Sequence, residues 1–349
     1  MTDIMLIGEA WGEHEARQRT AFVGPTGYLL NNLMDEAGIR RADCYLTNVF
    51  NFKPHMNKIE SLMGPKNQGI IGYPPLSIRT AKLTGNDATR GTYIRGEFRS
   101  ELLRLGREIQ EVKPNVIVAL GNTAMWPTLG KTRIGALRGV VQMSTHTKAG
   151  FKVLPTYHPA AVFKQWSLRT LVTMDLIKAR RESVYPDIRR PKREIWIEPT
   201  LEDFLEFDRR YLQSCERISV DIETAGHLIT CIGFAPSPRI ALVVPFLDPR
   251  RAGRNYWSDY ETYCEAINIV RTILSRATPK TFQNGLYDIT FIYRAWGIKV
   301  RGATDDTMLL HHALQPESLK GLGFLGSVYT DEGAWKLMRK KKSTIKRED

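Results

Sequence analysis

Four short apolar runs that alternate with helical patterns constrain the fold of the N-terminal half more than any other feature. The apolar runs occupy residues 4–7, 44–49, 115–121 and 153–159, and the helical patterns occupy 28–37, 101–112 and a segment ending at Ala179. Strands separated by helices predict an α/β fold, in which helices cover both faces of a parallel sheet. Ligands bind such sheets at the carboxyl ends of the strands, so we expect the functional residues in the loops that follow them.

A second pattern of elements begins after a basic, proline-containing segment at residues 180–199, which has neither helical nor strand periodicity. The later pattern predicts helices over 201–212 and 260–275 and strands over 217–222, 228–234 and 240–245. Strands that follow one another directly before a helix predict a mixed sheet. A chain of 349 residues is long enough for two domains, which we place at 1–184 and 200–349 with a linker at 185–199. Residues 73–96 are rich in proline and glycine and predict a long loop.

The net charge of +13 and the sequence pI of about 9.6 favour a polyanionic partner, since basic side chains that bind phosphates release condensed counterions. A basic surface that serves only solubility is the alternative. No apolar run reaches the ~20 residues of a membrane span, and residues 1–8 lack the features of a secretory signal. We therefore expect an intracellular protein with no membrane partner. The basic stretches 180–193 and 339–346 are candidate phosphate contacts.

Four side chains of different chemistry stand at or near the predicted strand ends. Glu9 follows the first strand, Phe22 lies in a glycine-bounded loop, Asn48 ends the second strand, and His158 precedes a proline. A carboxylate, an aromatic ring, an amide and an imidazole are the groups needed to cleave, stack and read an extruded base. Each has a structural alternative, because they could cap a turn, fill the core, stabilise a turn and satisfy a local hydrogen bond, respectively.

The motifs that carry these residues resemble those of the uracil-DNA glycosylase superfamily, and in particular its iron–sulfur group, family four. The matching segments are residues 8–12, 21–24, 47–49 and 158–160, with supporting likeness at 116–121 and 137–139, so that the resemblance covers about 4–180. It implies a three-layer αβα fold and hydrolysis of the N-glycosidic bond of deoxyuridine in uracil-containing DNA, without a cofactor. It also implies a catalytic role for Glu9, which would activate water, and for His158, which would donate to uracil O2.

The resemblance further implies how the base and the DNA would be held. Asn48 would pair with the uracil edge and Phe22 would stack on its ring, while Glu15 would border the C5 edge, where a thymine methyl group would clash. Phe163, in the turn after His158, is the candidate wedge into the duplex.

Two departures from the family pattern affect these expectations. Trp11 occupies the position of a family proline in the loop of residues 8–12. The four cysteines that hold the family's cluster are absent: residues 52–102 contain no cysteine, and Cys44 is the only cysteine before residue 200. We therefore predict that this chain holds no iron–sulfur cluster, which needs about four converging thiolates.

Three acidic residues of the second half form another candidate site. Asp221 and Glu223 are spaced i, i+2, which places both on one face of a strand, and Asp288 begins a later helical pattern. They resemble the first two motifs of DEDD-type 3′–5′ exonucleases, the proofreading domains of family A DNA polymerases, including those of phages. The resemblance implies a partial ribonuclease-H-like domain in which Asp221, Glu223 and Asp288 would bind Mg²⁺ or Mn²⁺.

The third motif of that family, Tyr-x-x-x-Asp, is not found before the end of the sequence, and the order Tyr329, Thr330, Asp331 has the wrong spacing. We expect that another chain, or a DNA polymerase, completes the site, or that the domain binds DNA without cutting it. Taken together, these features predict a uracil-DNA glycosylase of a phage replication or repair system that acts in the host cytoplasm. The alternatives are a non-catalytic DNA-binding or polymerase-associated module and a metal-dependent 3′–5′ exonuclease completed by another chain.

Overall fold

The computed structural model describes residues 3–76, 92–251 and 253–330, which form two compact units. Within the described ranges, unit 1 comprises residues 3–189 and 323–330, and unit 2 comprises residues 190–322. The basic stretch at 339–346 lies outside the described residues. In the part of the chain that is described, no helix is both long enough and apolar enough to cross a membrane.

Unit 1 is built on a five-stranded sheet with the order β2-β1-β5-β7-β6. Its strands are β1 (Ile4–Ala10), β2 (Cys44–Phe50), β5 (Val116–Leu120), β6 (Gln142–Met143) and β7 (Lys152–Thr156), and a separate antiparallel ribbon pairs β3 (Met63–Gly64) with β4 (Tyr93–Ile94). All pairings in the five-stranded sheet are parallel except that of β6 with β7. The predicted parallel sheet is therefore confirmed, with one short antiparallel strand added at its edge.

The helices of unit 1 lie on both faces of this sheet. They are α1 (Glu13–Gln18), α2 (Pro25–Glu36), α3 (Arg99–Val112), α4 (Gly121–Leu129), α5 (Ile134–Leu137), α6 (Pro159–Lys164) and α7 (Leu168–Glu182). Alternate residues of a strand point to opposite faces, so Leu6 of β1 packs in one core with α2 and α7, whereas Met5 packs in another with α3 and α4. This arrangement is the predicted three-layer αβα fold.

Short 3₁₀ helices connect these elements at Arg41–Asp43, His55–Asn57, Ile59–Leu62, Lys66–Gln68 and Gly96–Phe98. Most of the stretch predicted as a long loop, residues 77–91, lies outside the described residues. The described part of that stretch contains β4.

Unit 2 contains a six-stranded mixed sheet with the order β13-β12-β9-β10-β11-β8, as the sequence predicts for this half. The strands are β8 (Glu194–Ile197), β9 (Ile218–Ala225), β10 (Leu228–Ser237), β11 (Ile240–Pro245), β12 (Lys280–Phe282) and β13 (Ala303–Asp306), and the helices are α8 (Leu201–Phe207), α9 (Tyr260–Ser275), α10 (Gly285–Trp296) and α11 (Thr307–Leu314). The central strand β10 pairs antiparallel with both β9 and β11, and the other pairings are parallel. A single π-helical turn, Asp208–Leu212, extends α8 to the end of the predicted helix.

The segment predicted as a linker, residues 185–199, is divided between the two units. Lys152 donates hydrogen bonds to the carbonyls of Tyr185 (2.7 Å) and Asp187 (3.0 Å) and so fixes its beginning to unit 1. Its later part contains β8, which pairs with β11 at the edge of the second sheet. The sequence does not predict this strand, because its apolar run, residues 195–197, is only three residues long and follows a basic, proline-containing stretch.

The last described helix, α12 (Leu322–Tyr329), packs from Gly323 onward in unit 1, although it follows unit 2 in the chain. The ammonium group of Lys178 donates hydrogen bonds to the carbonyls of Gly139 (2.9 Å), Ser327 (2.8 Å) and Thr330 (2.7 Å). This lysine therefore satisfies carbonyls at the C-terminal end of the helix. The predicted boundary of the second domain, 200–349, does not anticipate this return.

Candidate functional site

A cavity of about 370 Å³ opens at the carboxyl ends of β1, β2 and β7 in unit 1. The residues that line it are Glu9, Ala10, Gly12, Glu15, Phe22, Thr26, Asn48, Asn57, His158, Ala160, Ala161 and Lys164. The structure thus brings together five residues that the sequence singles out from separate stretches of the chain, namely Glu9, Glu15, Phe22, Asn48 and His158. They meet because parallel strands end at the same edge of a sheet, as the alternation of strands and helices indicates.

Glu9 lies near the end of β1, where its carboxylate accepts a hydrogen bond from the Thr123 hydroxyl. Burial raises the pKa of Glu9, and the hydrogen bond from Thr123 partly offsets the increase, as does the charge of Lys164. Thr123 stands in the first turn of α4, directly after the strand β5. Sequence reasoning missed this residue because 114 positions separate it from Glu9.

His158 precedes α6, and its Nδ1 atom accepts a hydrogen bond of 3.2 Å from the backbone N–H of Ala160. Burial lowers the pKa of His158 to about 4, so the ring is neutral at pH 7. Because Nδ1 acts as the acceptor, the single proton of the neutral ring is on Nε2. Gly121 supports this position, since a side chain there would approach the Cβ of His158 to 3.2 Å on a backbone of positive φ. His158 is therefore a fixed, uncharged hydrogen-bond donor.

Phe22 is buried, and its ring centroid lies 6.1 Å from that of His158 at an interplanar angle of 31°. The backbone at Phe22 has a positive φ of 58°, which is uncommon for an aromatic residue and turns the loop toward the cavity. Gly8 makes room for the ring, because a Cβ at that position would lie 2.5 Å from the Phe22 Cζ atom and 2.2 Å from Asn48 Oδ1. Close packing at Gly8 thus places an aromatic ring and an amide side by side.

Asn48 is buried in β2, and within the described residues no hydrogen bond occupies its side-chain amide. Its backbone is held by Arg104, which donates to the carbonyls of Asn48 (2.8 Å) and Val49 (2.9 Å). Glu101 (3.1 Å) and Glu108 (2.6 Å) in turn hold this guanidinium. Arg104 therefore fixes the backbone that carries Asn48, and the hydrogen-bonding groups of the side-chain amide are available to a ligand in the cavity.

The other two residues predicted near the base differ in their placement. The Glu15 carboxylate lines the cavity and accepts backbone hydrogen bonds from Gly12 (3.2 Å), Val23 (3.0 Å) and Gly24 (2.9 Å). It therefore ties two loops together, and its contact with the base edge stays a prediction. Phe163 is 59% exposed on α6 and does not belong to the cavity wall, and its role as a wedge stays a prediction.

In unit 2, the predicted acidic pair lies on one exposed face of β9, and Val220 and Ile222 are buried on the other. Asp288 is buried in α10, and its Oδ1 atom accepts a hydrogen bond of 3.1 Å from the backbone N–H of Ile222. Burial raises the pKa of Asp288 to about 6, and the charges of Asp221 and Asp306 add to the increase. Asp288 therefore lies close enough to Asp221 to interact with it electrostatically.

The three acidic residues predicted to bind a metal ion are not matched by a complete set of ligands within the described residues. Among the residues that the structure describes, no group of three or more His, Cys, Asp or Glu side chains could hold a metal ion. As they stand, Asp221, Glu223 and Asp288 do not fit a bound Mg²⁺ or Mn²⁺. In unit 1, burial raises the pKa of the Cys44 thiol to about 12. Cys44 is the only cysteine among residues 1–189, and a cluster needs about four converging thiolates, so the absence of an iron–sulfur cluster stays a prediction.

Replacing Asp288 with asparagine is expected to stabilise unit 2 at pH 7 by about 2 kcal/mol. The pKa of Asp288 is raised from the ordinary aspartate value of 3.8 to about 6, so the fold loses free energy of unfolding as the pH rises through this range. Asparagine does not ionise, so the variant does not lose this stability. Urea unfolding at pH 7 and pH 4 would measure the difference, which should disappear at pH 4. The control is Glu216→Gln, at an exposed position, which should leave the free energy of unfolding at pH 7 close to that of the parent. Equal stability of the Asp288 variant and the parent at pH 7 would contradict the expectation.

Comparison with known proteins gives a consistent result for unit 1. Residues 1–180 match the family model described as "Uracil DNA glycosylase superfamily". A protein of Thermotoga maritima named type-4 uracil-DNA glycosylase is 31% identical over 183 residues, which cover 51% of this chain and 77% of that protein. A protein of the same name from Saccharolobus solfataricus is 28% identical over 186 residues, which cover 51% of this chain and 70% of that protein.

Solved structures give a weaker likeness. The Brucella melitensis protein NrnC has a TM-score of 0.29 and 15% sequence identity, with 44% of this chain and 66% of that chain covered. An EXD2 exonuclease domain soaked in Mn has a TM-score of 0.26 and 15% identity, with 35% and 58% covered.

Proposed function

The chain belongs to the uracil-DNA glycosylase superfamily through residues 1–180, and from this premise we propose that unit 1 hydrolyses the N-glycosidic bond of deoxyuridine in DNA. The observation that carries the proposal is the meeting of Glu9, Phe22, Asn48 and His158 around one cavity at the strand ends. The two relatives named type-4 uracil-DNA glycosylase, at 31% and 28% identity, support it. The positive net charge of +13 suits a polyanionic substrate.

Recognition of the base would combine stacking with hydrogen bonding. Phe22 offers its ring to the face of an extruded uracil, and stacking of a base on an aromatic side chain contributes about 1–3 kcal/mol. The amide of Asn48 can accept from uracil N3–H and donate to O4 at the same time. Cytosine presents the reverse pattern, and mismatched donors and acceptors in a buried site are costly, so the cavity would reject it.

Bond cleavage would separate uracil as an anion from a sugar with oxocarbenium-like character. The Nε2–H group of His158 would donate to the charge that develops on uracil O2, and a neutral donor that is already in place needs no reorganisation. The carboxylate of Glu9 would orient a water molecule toward C1′ and stabilise the positive sugar. As water attacks C1′, the N1–C1′ bond breaks, its electron pair leaves with uracil, and the water proton passes to Glu9.

The single experiment that tests this proposal is incubation of a labelled oligonucleotide containing one uracil, with and without EDTA. Alkali-labile abasic sites that form equally in both conditions would support the glycosylase. Tight binding without product would favour a non-catalytic DNA-binding module. Stepwise loss of 3′ nucleotides that EDTA abolishes would favour the metal-dependent exonuclease.

Iron quantification should find far fewer than about four irons per chain, the number that a [4Fe–4S] cluster would require.

Replacing Thr123 with valine is expected to shift the acidic limb of the pH profile of kcat/KM to higher pH by about one unit. Glu9 must be ionised to act, burial already raises its pKa, and the variant removes the hydrogen bond that opposes the increase. The pH dependence of uracil release between about pH 4 and 8 would measure the shift. Thr123→Ser, which keeps the hydroxyl, should restore the original profile. An unchanged limb in the valine variant would contradict the assigned role of Thr123.

For unit 2 we propose a DNA-binding, exonuclease-like module that works beside a DNA polymerase or with a chain that completes it. The shared exposed face of Asp221 and Glu223 and the nearby Asp288 support the likeness to an exonuclease. Their arrangement does not fit a metal ion, so we assign no cleavage step to this unit. A phage origin and action in the host cytoplasm are part of this proposal through the motif resemblance alone.

A further inference from the structure

We propose that Trp166, with Lys164 and Arg169 beside it, forms a stacking ledge for an unpaired nucleotide next to the extruded uracil and makes single-stranded DNA the preferred substrate. The inference rests on the proposed function, because the position of the ledge has meaning only if the cavity holds a base. It adds to that function a substrate class and a contact outside the cavity.

The ledge is continuous with the cavity along the chain. Lys164, the last residue of α6, lines the cavity, and Trp166 follows two residues later. Two residues of extended chain span at most about 7 Å, which is close to the spacing of neighbouring nucleotides in a stretched strand. Residues 163–167 are all exposed, so a strand leaving the cavity past α6 has open access to them.

The tryptophan itself is unusually accessible for its size. Trp166 is 65% exposed, and large exposed aromatic rings next to a binding cavity are typical of interaction surfaces. The Arg169 guanidinium lies 5.0 Å from the centroid of the indole ring. Glu36 holds this guanidinium through an ion pair, and Glu36 also accepts a hydrogen bond of 3.1 Å from Thr173. The cation therefore restrains the ring from a fixed position and leaves most of it accessible to a ligand.

The chemistry of the ledge fits a single strand better than a duplex. An aromatic side chain stacks on the free face of a base, and in a duplex those faces are covered by the neighbouring base pairs. The exposed ammonium of Lys164 has no ion pair within the described residues, so it can contact a backbone phosphate. Removal of one stacking contact of this kind lowers affinity by about 10-fold or more.

The test uses the full chain and separates binding from catalysis. Intrinsic tryptophan fluorescence is followed during titration with an oligothymidylate of about 12 nucleotides, which contains no uracil, and with the same strand in a duplex. We expect the single strand to quench the signal, Trp166→Ala to bind it about 10-fold more weakly, and Trp166→Phe to retain most of the affinity while losing the quench. Tyr260→Ala, which removes an aromatic residue that is 78% exposed in unit 2, is the matched control and should bind as the parent does.

A second measurement connects the ledge to the reaction. Trp166→Ala should lower kcat/KM for a uracil in a single strand by about 10-fold and for a uracil in a duplex by much less. Unchanged affinity of this variant for the single strand would overturn the proposal, and so would equal losses on both substrates. Sedimentation of the parent and of Trp166→Ala gives a further check. If the parent were a dimer and the variant a monomer, Trp166 would form a contact between two copies of the chain, and the proposal would be overturned. Because the titration contains no uracil, absence of glycosylase activity would leave the binding result interpretable.

Discussion

Replacing Glu9 with glutamine is expected to slow uracil release by about 10²- to 10⁴-fold while affinity for uracil-containing DNA changes little. Glutamine has nearly the same shape and can still accept from the Thr123 hydroxyl, so the wall of the cavity is kept. It cannot take a proton from water or stabilise a positive sugar through its charge. Single-turnover release of uracil with excess enzyme would measure the rate, and equilibrium binding to the same oligonucleotide would measure the affinity.

The control for this substitution is Glu60→Gln. Glu60 is an exposed carboxylate that influences the pKa of Glu9 through its charge but does not line the cavity. Its removal should leave the rate close to that of the parent. If the Glu9 variant released uracil at the rate of the parent, the carboxylate would have no part in the chemistry. Unit 1 would then be better described as a non-catalytic DNA-binding module.

Replacing Asp175 with alanine is expected to destabilise unit 1 by about 3–5 kcal/mol, the usual cost of leaving a buried charge without its partner. Asp175 and Arg138 each have a side chain that is only 1% exposed, and the Arg138 Nε–H donates to the Asp175 carboxylate at 2.9 Å. The same carboxylate accepts a hydrogen bond of 2.7 Å from Thr156, at the end of β7. Thermal or urea unfolding of the full chain would measure the loss.

An exposed ion pair provides the comparison for Asp175. Glu13 forms exposed ion pairs with Arg17 and Lys53, and Glu13→Ala should change the unfolding midpoint far less than Asp175→Ala does. If both Asp175→Ala and Glu13→Ala unfolded at the midpoint of the parent, the expectation would be contradicted. The result would mean that the Arg138 guanidinium binds other partners or water once Asp175 is removed. Asp175→Asn should fall between the alanine variant and the parent, because one hydrogen bond is kept and the charge is lost.

Local sequence signals were sufficient for the four parallel strands of unit 1 and for the residues at their ends, but not for the two-residue strands β3, β4 and β6. Glu9, Asn48 and His158 could be predicted because the carboxyl ends of parallel strands converge, so that placing each strand also places the residue after it. Alternation along β9 predicted in the same way that Asp221 and Glu223 share a face. These inferences depend on the period of a strand and on short motifs, which are contained in one stretch of sequence.

Contacts between distant segments could not be predicted from such signals. Thr123 and Arg104 support the site through partners that are 114 and 56 positions away, and no local pattern marks either pairing. The strand β8 lies at a sheet edge with three of its four residues exposed, and its apolar run of residues 195–197 is shorter than the runs that predicted the other strands. The placement of α12 depends on its fit to Lys178, which lies 149 positions before Ser327.

The position of α12 determines how the two units can be separated by protein engineering. The chain leaves unit 1 after Arg189 and re-enters it at Gly323, so unit 2 is an insertion between two parts of one fold. A truncation after Arg189 would leave Lys178 without the carbonyls of Ser327 and Thr330 and would uncover the buried Arg138. A faithful minimal form of unit 1 would instead be an internal deletion, in which a short designed linker joins residue 189 to residue 323.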